Sequence, residues 1–109
     1  MTLNDVQYVE AARVLAQRMI LEGGDNTEDR LIYAWRLATA RRPNTAELEL
    51  LKEEFDYRKN FYKNEPENAG KLIQAGDSKQ IANLDKIDLA SYMSVAQIIL
   101  NLDETITRN

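Results

Sequence analysis

Apolar residues recur at helical spacing along almost the whole chain. Asn4 and Gln7 have the separation of a capping box, and behind them Tyr8, Val9, Ala12, Leu15, Ala16, Met19 and Ile20 share one broad face, which predicts a helix over 5–22. Gly23-Gly24 can take the left-handed conformation that ends a helix, and Asp25-Asn26-Thr27 offers an N-cap for the next. The first two helices are therefore expected to form a short-looped antiparallel hairpin.

The second helix, expected over 28–41, has Glu28 and Asp29 in its first turn and Arg41 in its last, matching the helix dipole at both ends. Leu31, Ala34, Trp35 and Ala38 form its main stripe. Ile32, Tyr33 and Leu37 widen that stripe until little of the surface is polar, which makes this the expected central helix. Pro43 stops it, and Asn44 with Glu47 forms a second capping box that starts a third helix over 45–63. Leu48, Leu51, Phe55 and Tyr62 line that helix, supported by Leu50 and Phe61, while Glu47, Glu49, Glu53, Glu54, Arg58 and Lys59 are available to solvent.

Pro66 suits the first turn of a shorter helix containing Ala69, Leu72 and Ile73 and ending near Gly76, and 77–84 reads as a loop. Asp85, with Asp88 three residues on, caps a fifth helix. Leu89, Tyr92, Met93, Ala96, Ile99 and Leu100 form its stripe and Val95, Leu102 and Ile106 its flank, so it should pack against more than one neighbour. No strand pattern or internal repeat emerges. The fold class expected is all-α, a bundle of about five helices, and 109 residues suffice for one core and one domain.

Composition narrows the chemistry. Fourteen Lys and Arg against eighteen Asp and Glu give a net charge of -4, the wrong sign for drawing in a phosphate backbone, so nucleic acid is not an expected partner. There is no histidine and no cysteine, which removes disulfides, the commonest metal ligands, the commonest general base and the thiol nucleophile together. The longest charge-free run, Leu89 to Leu102, spans 14 residues, short of the roughly 20 a membrane helix needs. The start, Met1-Thr-Leu-Asn-Asp, lacks the basic and apolar regions of a secretory signal.

Each constellation that imitates a site meets a chemical obstacle. A two-metal carboxylate site in a bundle needs histidines paired with its glutamates, so Glu49 and Glu53 read as a solvated face. Asp25, Thr27 and Asp29 resemble the first ligands of a calcium loop, but Arg30 stands where glycine is required and Arg36 where the bidentate glutamate belongs. Ser78, Ser91 and Ser94 have no activating base. Asp103 and Glu104 could serve acid and base roles, yet neighbouring helical residues point about 100 degrees apart. Arg36, Arg41 and Arg42 form a basic cluster on a helix too apolar for DNA reading. Arg41 and Arg42 are expected to interact with the helix C-terminus and Arg36 to pair with an acid. The aromatics Tyr33, Trp35, Tyr57, Phe61 and Tyr62 are expected in the core.

Three stretches carry a family resemblance: Asn4-Asp5-Val6-Gln7-Tyr8-Val9-Glu10-Ala11-Ala12-Arg13, Arg36-Leu37-Ala38-Thr39-Ala40-Arg41-Arg42-Pro43-Asn44-Thr45-Ala46-Glu47-Leu48, and Leu100-Asn101-Leu102-Asp103-Glu104-Thr105-Ile106-Thr107-Arg108. The chain resembles the C-terminal part of the planctomycete-specific domain of unknown function that ends large bacterial envelope proteins. The first and last stretches are the more specific. The resemblance implies a fragment of a longer, exported protein of the periplasm or cell surface, often with an upstream cytochrome c-like segment. No Cys-x-x-Cys-His is present, so haem chemistry does not carry over, and the resemblance transfers no catalytic residue. Arg42 stands where relatives often have a second proline.

The expected function is a non-catalytic structural or interaction module without cofactor, packing against upstream domains of its parent chain or a protein partner. Arg36, Arg41, Arg42, Asp103 and Glu104 are its candidate interaction or cleft residues. The alternative is a fragment contributing those acids and arginines to an enzyme site completed upstream, in polysaccharide breakdown for example. A helical DNA-binding domain is a third, disfavoured by charge.

Overall fold

A computed structural model describes residues 6–74 and 84–107, with side chains described over 9–74 and 84–102. The elements are α1 (Val6–Glu22), α2 (Thr27–Thr39), α3 (Thr45–Asn64), α4 (Pro66–Ile73) and α5 (Lys86–Thr107), with no strand among the described residues. The protein is an all-α bundle. The Asn4–Gln7 cap and the 77–83 stretch of the expected loop lie outside the described residues.

Local signals account for most helix ends. The Asn26 side chain accepts from the Asp29 N–H and caps α2. Asn44 and Glu47 form the reciprocal capping box that opens α3. Asp85 accepts from the Asp88 N–H at the start of α5. Gly24 adopts φ 113°, and a Cβ on Gly23 would fall 2.5 Å from the Met19 carbonyl oxygen, so both glycines are required by the tight turn between α1 and α2. Arg18 meets Tyr33 across that turn, and Val14 and Leu37 line one cavity further along, so the two helices do form an antiparallel hairpin.

Two expected boundaries differ. The second helix stops at Thr39, not Arg41: Ala40 turns left-handed at φ 61° and donates its N–H to the Arg36 carbonyl, while the Thr39 hydroxyl turns back to the Trp35 carbonyl. The fourth helix ends at Ile73, where Gln74 donates back to the Gly70 carbonyl, rather than near Gly76.

The central helix is α5, not α2. Residues Ser91 to Ala96 are all buried, and six successive helical positions cover every direction around the axis. All four other helices pack on α5. It runs antiparallel to α3, with Lys59 against Asp88 and the Phe55 ring 4.5 Å from that of Tyr92. Ala90, Ser91, Ser94 and Ala96 keep its surface thin, and both serine hydroxyls donate to carbonyls one turn back, which satisfies them inside the bundle. Helix α2 buries Leu31, Ala34 and Trp35 but leaves Leu37 46 % exposed, and on α3 Leu50 and Tyr57 also face outward. Tyr57 is thus not a core aromatic, whereas Trp35 and Tyr62 are.

Candidate functional site

The five residues singled out in the sequence fall in three places. Arg41 follows the left-handed Ala40, so it points away from the end of α2 and grips α3: its Nη1 and Nη2 donate to both carboxylate oxygens of Glu47 at 2.9 and 2.8 Å. The guanidinium lies 5.1 Å from the centre of the Trp35 ring. Glu47 also accepts from the Asn44 N–H, and the Arg41 hydrogen bond, followed by that of Asn44, holds its carboxyl down at about 2. Arg41 is therefore a tie between helices, not a capping charge on α2. Its Nη1 also donates to the Arg42 carbonyl.

Arg36 on α2 and Arg42 just beyond its end border the same groove. Gly23, Asp29, Ile32, Tyr33, Leu37 and Ala40 complete its lining, and its volume is about 600 Å³. Among the described residues neither guanidinium is in an ion pair, so the expected pairing of Arg36 with an acid is not made: the neighbouring acid Glu47 is taken by Arg41, and Asp29, two turns away, accepts from the Asn26 amide. Asp103 and Glu104 lie on the C-terminal turns of α5, and their side chains are outside those described.

The groove adjoins a second hollow at Leu37. That hollow, of about 400 Å³, is lined by Leu37 with Ala11, Val14, Leu15, Arg18, Ala38 and Leu100. Val14 is 42 % exposed, and Leu21, two turns further along the same side of α1, is also open. A network fixes the groove at its turn end: the Tyr33 hydroxyl donates to Glu22 at 2.7 Å and receives Arg18 at 3.2 Å. That phenol, and then Arg18, hold the Glu22 carboxyl below the usual carboxylate range, while the carboxylate in turn raises the Tyr33 pKa.

Sequence reading missed Val14 and Leu21 because they flank the buried stripe of α1. They became visible only once the neighbours of α1 were placed. Among the described residues no group of acids is arranged to hold a metal ion, and no helix is long and apolar enough to cross a membrane. Comparison of the chain with protein-family models, with curated proteins and with solved structures gives no match.

Proposed function

We propose that the protein is a non-catalytic helical interaction module whose docking surface is the outer face of the α1–α2 hairpin, and that its occupant is an amphipathic helix with acidic flanks. The observation that supports this is the pair of hollows that meet at Leu37. Their apolar floor of Val14, Ile32, Leu37 and Leu100 accepts a helix ridge, and the unpaired Arg36 and Arg42 on their rim favour carboxylates beside that ridge. Large apolar side chains left open and contiguous in a small domain are typical of surfaces that dock a partner. The resemblance to the planctomycete domain supports a setting in an exported envelope protein, in which an upstream domain of the same parent chain supplies the helix.

A designed peptide helix with leucines on one face and glutamates beside them serves as the probe. Titrated onto the ¹⁵N-labelled chain, it should shift the amide peaks of Val14, Ile32, Leu37 and Leu100 saturably. R36E with R42E should weaken it about tenfold or more, and L37E should abolish it with little change in stability, because Leu37 is already half open. Shifts scattered over all five helices, or affinity indifferent to R36E and L37E, would refute the reading.

A further inference from the structure

The core contains a charge that no described carboxylate balances. Arg13 is 1 % exposed, and its Nη1 donates to the carbonyl of Ile73, the last residue of α4. Its Nε and Nη2 have no hydrogen-bond partner. These two N–H groups project side by side from one edge of the guanidinium plane, the edge that takes both oxygens of a carboxylate in a bidentate pair. Four residues later, and so on the same face of α1, Gln17 is 8 % exposed and its Nε2 also lacks an acceptor.

Three buried donors without acceptors, one group of them cationic, form an expensive arrangement. An unpaired buried charge is strongly destabilising, and each unmade hydrogen bond adds its desolvation penalty. Every unmet requirement here is for an acceptor and for negative charge. We propose that the Nε/Nη2 edge of Arg13, with the amide of Gln17, is a binding site for a carboxylate. A carboxylate carries one charge and cancels the guanidinium, whereas a phosphate dianion would leave the core net negative. The site shares no residue with the hairpin groove and stands independently of it.

The carboxylate comes either from a small free acid or from a protein side chain, and one experiment separates the two. The Arg13 Nε–H peak of the full ¹⁵N,¹³C-labelled chain, identified by its loss in R13K, is followed in carboxylate-free buffer while acetate is added, with chloride and inorganic phosphate as controls. A saturable shift with acetate that chloride and phosphate do not reproduce supports a free-acid site, and Q17L should then weaken acetate about tenfold. A peak protected from water exchange, unmoved by acetate and correlated to a carboxyl carbon supports a site filled by a protein carboxylate. An Nε–H that exchanges like those of surface arginines, or a protected one with neither acetate response nor a carboxyl correlation, overturns the proposal.

Discussion

Glu47 serves two helices at once. It closes the capping box of α3, receives both nitrogens of Arg41 and is held at about 2, against an ordinary 4.5. Its folded-state pKa is depressed, so the stability it contributes is present above about 4.5 and is lost as pH falls towards about 2. The urea midpoint of wild type should therefore drop across that window more steeply than that of E47Q, as equilibrium unfolding at stepped pH will measure. Ala40 makes the opposite argument from the backbone. At φ 61° it pays the left-handed penalty that glycine avoids, so A40G should stabilise by about 0.5–1 kcal/mol in thermal or urea unfolding, net of the entropy glycine adds to the unfolded chain. The capping box was legible in the sequence because both partners sit three residues apart. The grip of Arg41 on Glu47 was not, because it depends on which way the chain leaves Ala40.

At the scale of elements, adjacent residues on α3 separate packing from exposure. Leu51 is 1 % exposed and Leu50 is 61 % exposed. L51A should cost about 2–5 kcal/mol by opening a cavity against α5, while L50A should stay within about 0.5 kcal/mol, both read from urea denaturation. Five helices and most of their limits follow from apolar spacing and caps. The stripe of α2 was legible too, but its width was misleading: Ile32, Tyr33 and Leu37 extend it beyond the fully buried Leu31, Ala34 and Trp35 to positions that line the groove. Periodicity reports how much of a helix is apolar, and only neighbours decide how much of that is buried.

Over the whole molecule, one residue links three helices. Tyr92 of α5 stacks on Phe55 of α3, and its hydroxyl donates to Thr27 and receives Arg30, both in the first turns of α2. Y92F keeps the ring and removes only those bonds, so it should cost about 1 kcal/mol in thermal unfolding while leaving the spectrum of the fold unchanged. The radius of gyration, 13.0 Å, is that of a closely packed chain of about this length, consistent with one core shared by all five helices. By itself the sequence determined the helix class, the hairpin, the caps of α2, α3 and α5 and the exclusion of histidine and cysteine chemistry, because these depend on residue type and on partners within a turn or two. The tertiary structure alone decided that α5 rather than α2 is central, that Arg41 ties two helices while Arg36 and Arg42 stay unpaired, and that Arg13 is buried. The reason is geometric: a charged residue on the edge of an apolar stripe looks the same in sequence whether water or another helix lies beside it, and here the end of α4 lies against Arg13.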